Sequence, residues 1–532
     1  PQVAHYVEGD AYSMGYLSGL LMEPQADVMV TTYIDHFVMS LISFELDKKL
    51  TASPEWHGLY AKFTDFLGEF LTTHANKAWA ADLAKGVFPN ELVTEMHGLE
   101  AGCLAANPNT NVTYERLITL NFGMDWLSVT LFSGALENLL VAHAAAVGAP
   151  PALRAAIATL VPGDVALPQY CDAFAASGPA TASGTGSFFA RDFQLATSEV
   201  FQDYQTSVVF VPNDGRRPLV AALAPGMVGS LTALNADGVA MGVDTIRSAA
   251  GTPESPGLNS LLLIRSSIHN SSTTEELVDV VSRAPRWCPF LYPASDAAGT
   301  GVIMEASAYN ASATPPDALA HVKNDALRAA LPTNEEVQAL SHPDYRHGLY
   351  VRHMNTTVPA EFMTYNPALF KLANVTLDPT SSEATGHFFK TYTEEVAVWK
   401  KLHSSYFSPS RAPNNTIIVS NIALTPQLRL TEMNFFSDLV GVPPMQFRYD
   451  SLNDLLRAHW GSIDLDVAKY IITFLSPDRI PGYWHDYLNP DNVMSAAIQG
   501  ILVACDLQEK VFEVKGGYWA DGWLRISLSN YV

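Results

Sequence analysis

Two short apolar runs joined by a turn constrain this chain more than any other stretch. Cys171 opens the first run, Cys171-Asp-Ala-Phe-Ala-Ala-Ser-Gly. Ser183-Gly-Thr-Gly-Ser187 supplies a turn, and Phe188-Phe-Ala-Arg-Asp-Phe193 forms the return run. Short alternating or apolar segments bounded by Gly and Ser predict a β-hairpin. A hairpin folds its far end back beside its near end, so Arg191 and Asp192 return towards the Cys171 thiol. A guanidinium beside a thiol favours the thiolate. Nowhere else does the chain join a candidate nucleophile to charged partners so compactly.

The rest of the chain is read outward from this hairpin. Residues 1–126 carry apolar residues at three- and four-residue spacing over Asp27–Leu46 and Pro54–Leu71, which predicts a mainly helical part. Residues 127–170 are Ala- and Leu-rich and hold Pro150-Pro151, Pro162-Gly163 and Pro168. They read as a helix or two and then an exposed linker ending at Tyr170, either a lid or a removable segment. Residues 171–532 hold the nucleophile-bearing core. Its expected strands are Thr206–Pro212, Pro218–Ala224, Gly238–Asp244, Gly301–Ser307 and Thr416–Leu424. One helix is expected over Asn259–Ala284, whose Thr274-Glu275-Glu276 suits an acidic first turn, and another over Arg448–Leu456. Residues 308–416 read as mixed helix and loop. Strands and helices mixed in this order suggest stacked layers of both.

Composition excludes several classes. The 532 residues are 48% hydrophobic, enough for a large core. A net charge of −23 repels phosphate backbones, so no nucleic-acid partner is expected. No apolar run reaches membrane-span length, and a soluble protein is expected. The chain starts at Pro1 without Met, so any targeting segment is expected to have been removed. Six Asn-X-Ser/Thr sequons, at Asn111, Asn270, Asn310, Asn355, Asn374 and Asn414, suit a secreted or lysosomal route. Four cysteines, Cys103, Cys171, Cys288 and Cys505, make no disulfide framework. Setting Cys171 aside leaves room for at most one bridge, and Cys103 and Cys505 read as buried small apolar residues.

Other familiar signals are absent. There is no Gly-X-Ser-X-Gly elbow, HEXXH or phosphate-binding loop, and Gly184 and Gly186 lack the third glycine of a dinucleotide site. His347 and His353 near Asp344 read as polar loop histidines, with a metal site as the alternative. His459-Trp460 reads as a packed pair on a helix surface. No cofactor or metal is expected.

Further residues follow Cys171 in an order that resembles a known family. Asn235-Ala-Asp-Gly-Val239 is similar to an Asn-X-X-Gly-Leu turn between strands, and Glu305 stands in the strand Val302-Ile-Met-Glu-Ala-Ser. Asn421 in Val419-Ser-Asn-Ile422 is similar to a Thr-Asn-His strand end, with Ile422 in place of the His. Arg448 in Phe447-Arg-Tyr-Asp opens a helix. Upstream, Gly9, Gly15 and Gly19 repeat a glycine pattern; Glu95, Gly98, Gly102 and Asn121 resemble the next block. The ordered set resembles the penicillin acyltransferase-like (C45-type) branch of the N-terminal nucleophile hydrolases, related to bile-salt hydrolases, acid ceramidase and phospholipase B-like proteins. The match is thin over residues 127–169 and 308–410. Arg191 and Asp192 are adjacent here, whereas the family spaces them by two residues.

The resemblance implies an α+β fold, a four-layer αββα sandwich. It implies self-cleavage at Tyr170–Cys171, with the new α-amine serving as base to its own thiol and attack forming a thioester. The two fragments would stay associated. Asn421 would donate to the oxyanion, Arg191 would hold the thiolate, Asp192 the α-amine, and Arg448 would support the site or bind a substrate carboxylate. Asn235, Asp244, Thr245 and Glu305 are supporting candidates, Asp244 and Thr245 standing where bile-salt hydrolases carry an Asn. The expected activity is hydrolysis or transfer of small N-acyl amides. The alternatives are a phospholipase B-like lipid deacylase of lysosomal type and a non-catalytic secreted glycoprotein. A homo-oligomer is compatible with the sequence.

Overall fold

The computed structural model describes residues 3–35, 54–133, 135–157, 171–193, 203–246, 248, 250–251, 256–309, 342–356, 412–429, 431, 445–473, 500–516 and 522–531. Tyr170, Asn310 and Asn374 lie outside them, as does most of 308–416.

Two sheets face each other. The larger runs β1 (Ala4–Gly9), β4 (Thr206–Pro212), β5 (Leu219–Leu223), β6 (Thr232–Asn235), β7 (Ala240–Gly242), β8 (Leu291–Ser295), β9 (Gly301–Ala306), β11 (Leu349–His353) and β10 (Tyr345–Arg346). The smaller runs β12 (Thr416–Ser420), β2 (Asp172–Ser177), β3 (Ser187–Phe193), β13 (Ile501–Asp506), β14 (Val511–Lys515) and β15 (Leu524–Ser527). The expected hairpin is β2 with β3, in a register that sets Asp172 opposite Asp192 and Ala173 opposite Arg191.

Strand alternation sorts the smaller sheet's side chains between two cores. Ala173, Ala175, Phe189, Val503 and Cys505 point into the seam between the sheets. Phe174, Ala176, Phe188, Ala190 and Ala504 point outward, beneath the helices Met445–Ala458 and Leu465–Thr473. The larger sheet carries its helices, Ser260–His269 among them, on its outer side. The layer order is αββα, as expected. Both faces of β2 and β3 are buried, which accounts for their near-continuous apolar runs.

The described residues before Cys171 are helices preceded by one strand. Ala4–Gly9 forms an edge strand parallel to β4, in register from Ala4–Ser207 to Gly9–Pro212. Its short His-Tyr-Val-Glu alternation is masked in the sequence by the helical pattern that follows. The helices Ala11–Val28 and Asn90–Ala106 then cross at backbone contact. A Cβ on Gly15 would overlap the Glu95 carbonyl oxygen, one on Gly19 that of Leu99, one on Gly98 that of Tyr12, and one on Gly102 that of Tyr16. This crossing explains Gly15 and Gly19 of the first upstream pattern and Gly98 and Gly102 of the second in packing terms.

Other boundaries move for local reasons. The helix expected over Asn259–Ala284 is two, Ser260–His269 and Thr274–Arg283. Thr273 Oγ1 accepts from Glu276 N–H (3.2 Å) while Glu276 Oε2 accepts from Ser272 N–H (2.7 Å), a reciprocal cap that starts the second helix. The strand Gly238–Asp244 shortens to Ala240–Gly242 because Gly238, at φ +83°, belongs to the preceding turn. His459 and Trp460 lie in the turn just past Ala458 rather than on a helix surface, and Trp460 Nε1–H donates to Asn414 C=O at 2.8 Å.

Candidate active site

Cys171 enters the molecule at the start of β2, and its side chain belongs to the core between the sheets. Its residue is 1% exposed. Register and alternation put it on the same face of the hairpin as Arg191. Its backbone N–H donates to Asn421 Oδ1 at 2.6 Å. A tight turn, closed by Ile422 N–H to Ser420 C=O at 2.5 Å, holds Asn421 at the end of β12.

Arg191 spans the seam into the larger sheet. Nε donates to Asp244 Oδ1 at 3.1 Å, and Nη1 to Leu231 C=O at 3.0 Å and Thr232 Oγ1 at 2.7 Å. Nη2 donates to Val243 C=O. Gly242 in β7 makes room for this, because a Cβ there would overlap Arg191 Cδ. Both Arg191 and Asp244 are fully buried. Burial pushes the Asp244 carboxyl up to about 7, against the pull of the Arg191 charge. Adjacent residues on a strand face opposite sides, so Asp192 does not share the Arg191 face. It lies across from Asp172, on the side of the outer helices. The carboxylate beside Arg191 is therefore Asp244.

On that outer side, Arg448 in the helix Met445–Ala458 joins Asp172 through Nη2 and donates from Nη1 to Asn421 Oδ1 at 3.2 Å. Asn421 Nδ2 donates to Thr245 C=O at 2.6 Å. Arg448 has no acceptor and the Thr245 carbonyl no donor, so the orientation of the Asn421 amide is determined. Its oxygen faces Cys171, and one Nδ2 hydrogen is committed to Thr245. Asp172 is buried, which pushes its carboxyl up while Arg448 pulls it down. Asp172 and Gly242 were not singled out from the sequence. A lone Asp in the otherwise apolar run after Cys171 is the signal that a buried partner awaits it.

Glu305 is fully buried in β9 and accepts from Leu424 N–H at 2.9 Å, Thr425 N–H at 2.8 Å and Arg352 Nε at 2.6 Å. Arg352 also donates to Ile418 C=O at 3.3 Å. The pair ties the larger sheet to β12 and to the segment after Asn421. Asn235 serves a turn: Oδ1 accepts from Asp237 and Val239 N–H, and Nδ2 donates to Ile268 and Ser271 C=O. Asn121 Nδ2 donates to Gly226 C=O, and its Oδ1 accepts from Val228 and Gly229 N–H, stitching the residues before Cys171 to those after it. Glu95 pairs with Arg265 at 3.2 Å beneath the larger sheet's helices.

Asn111, Asn270, Asn355 and Asn414 are all exposed. The four cysteines are buried and none is in a disulfide. Burial pushes the Cys103 thiol up to about 12, and Cys288 and Cys505 are also raised by burial. His353 Nε2 meets Asp344 Oδ2 at 2.7 Å, while the His347 ring stacks on Tyr309. Among the described residues no cluster of His, Cys, Asp and Glu could hold a metal ion. Among them, too, no single helix is long and apolar enough to cross a membrane. Tyr114–Phe132 and Leu136–Ala146 meet that measure only as a pair bent by 114°.

No family model matches the chain. An uncharacterised protein of Archaeoglobus fulgidus is 26% identical over 531 residues, 99% of this chain and 65% of that protein, so the chain spans just under two thirds of that relative. Solved structures similar to this chain include the following three. An N-acylethanolamine-hydrolyzing acid amidase ortholog of Caenorhabditis elegans has 10% identity and a TM-score of 0.31, over 64% of this chain and 93% of that one. Penicillin V acylase from Agrobacterium tumefaciens has 12% and 0.32, over 68% and 86%. A mutant of the conjugated bile acid hydrolase from Clostridium perfringens has 11% and 0.31, over 68% and 93%.

Proposed function

We propose that this chain is an N-terminal nucleophile hydrolase, and specifically a self-processing cysteine amidohydrolase or acyltransferase acting on small N-acyl amides. One observation carries the reading: the N–H of Cys171, the atom that would become the α-amine, donates to Asn421 Oδ1 at 2.6 Å, at the end of a sheet whose Arg191 shares the thiol's face. Cleavage at Tyr170–Cys171 would free that amine. An α-amine titrates near ~7.7–8.0, so it can take the thiol proton near neutrality without a histidine. The thiolate attacks the amide carbonyl, and the amine returns its proton to the departing nitrogen. A thioester remains, which water or a second amine then resolves. The Asn421 Nδ2 hydrogen not held by Thr245 is the candidate oxyanion donor. Asp244 keeps Arg191 in the seam.

The test is N-terminal sequencing of purified protein, followed by a substrate panel. Processing gives residues 1–170 and 171–532, held together by the β1–β4 pairing and by Asn121. Cys171→Ala stays a single chain; if that variant still splits there, the internal mechanism is wrong. Mature enzyme is then given matched N-acyl amino acids and dispersed phospholipids. Fatty-acid release from the phospholipids with the amides untouched would replace this reading with lipid deacylation.

A further inference from the structure

We propose that Asp172 is a positioning residue: through Arg448 it fixes which end of the Asn421 amide faces the Cys171 amine, and it balances the charge that Arg448 brings beside that amine. This deepens the reading above and rests on it.

Three contacts form the chain of action. Asp172 pairs with Arg448 Nη2. Arg448 Nη1 donates to Asn421 Oδ1 at 3.2 Å, and the same oxygen accepts the Cys171 N–H at 2.6 Å. Asp172, Arg448 and Asn421 are each 3% exposed or less. A buried arginine without its carboxylate would seek another acceptor, and the amide oxygen would lose the donor that orients it. The charged groups around the thiol come from four elements. Asp172 stands on β2, Arg191 and Asp192 on β3, Asp244 just after β7 and Arg448 on its helix. Glu305 and Arg352 meet each other at the segment that follows Asn421. Arg191 has Asp244 as a carboxylate partner and Arg448 has Asp172, while Asp192 stands across the hairpin from Asp172 as a third buried carboxylate.

Removing one member of the second pair therefore has a signed electrostatic effect. Without Asp172, the Arg448 charge disfavours the Cys171 ammonium and favours its thiolate, and both steps move to lower pH. Without Arg448, the Asp172 charge moves both to higher pH.

The readout is the pH dependence of Cys171 alkylation by iodoacetamide, followed by mass spectrometry on processed protein. It needs no substrate. For Asp172→Asn the midpoint is expected to fall by at least about half a pH unit, and Asp172→Glu to restore it. For Arg448→Gln it is expected to rise by a similar amount. Should Asp172→Asn not fold, the Arg448→Gln shift decides alone. Midpoints that stay at the wild-type value, or that move the same way in both variants, overturn the proposal. A protein with no new N-terminus at Cys171 overturns the functional reading instead, so the two failures are distinct.

Discussion

Gly242 and Arg191 meet across the seam between the two sheets, where the missing Cβ of one is the space filled by the side chain of the other. The guanidinium reaches Leu231, Thr232, Val243 and Asp244 only because β7 carries no side chain at that point. Gly242→Ala is expected to destabilise the protein by about 1–3 kcal/mol through overpacking. It should also displace Arg191 and slow turnover with little change in KM. Urea unfolding and steady-state kinetics measure both. A stable, fully active variant would show that Arg191 can be accommodated elsewhere.

Asn421 offers two separable functions, an acceptor facing Cys171 and a remaining N–H. Asn421→Ala removes both and is expected to lower turnover by roughly 10²–10³. Asn421→Asp keeps the acceptor and loses the N–H, and it should fall comparably if the N–H serves the oxyanion. Near wild-type turnover in the Asp variant would confine Asn421 to orienting the Cys171 nitrogen.

Asp244 makes stability pH-dependent with a definite sign. Its folded value, about 7, lies above that of an unfolded aspartate, ~3.9. Between these values the folded state keeps a proton that the unfolded chain has released, so this group's contribution to stability falls as pH rises. Urea midpoints of the wild type should drop more from pH 4.5 to 7.5 than those of Asp244→Asn. Parallel curves would mean that the Arg191 pairing holds Asp244 ionised throughout.

The crossing of Ala11–Val28 over Asn90–Ala106 has no room for methyl groups at its four glycines. Gly15→Ala and Gly98→Ala each add helix propensity, worth up to about 1 kcal/mol in an exposed helix. Here overlap with a backbone carbonyl outweighs it, and each variant should unfold earlier than wild type by about 1–3 kcal/mol. Stabilisation of either variant in thermal unfolding would show that the helices can separate at little cost.

Beneath that crossing, Glu95 and Arg265 form a buried pair. Glu95→Ala leaves the guanidinium uncompensated and should cost about 3–5 kcal/mol, whereas substitution of both by apolar residues of similar volume should cost far less. A double-mutant cycle in urea measures the difference. Equal losses in single and double variants would assign the cost to packing alone.

What the sequence determined by itself was local. The Cys171-led hairpin, the strands expected over Thr206–Pro212 and Gly301–Ser307 and the helix around Arg448 follow from alternation, turn residues and helical spacing, all set within about ten residues. Pairing across the chain was decided by tertiary structure. Alternation alone implies that Arg191 and Asp192 part company, but only the packed sheets show that the carboxylate meeting Arg191 is Asp244, 53 positions away. Asp172 and Arg448 are 276 positions apart, and nothing in either segment names the other. A buried charge needs a partner wherever the fold brings one; a sequence displays the need, and the packing of two sheets and their helices supplies the partner.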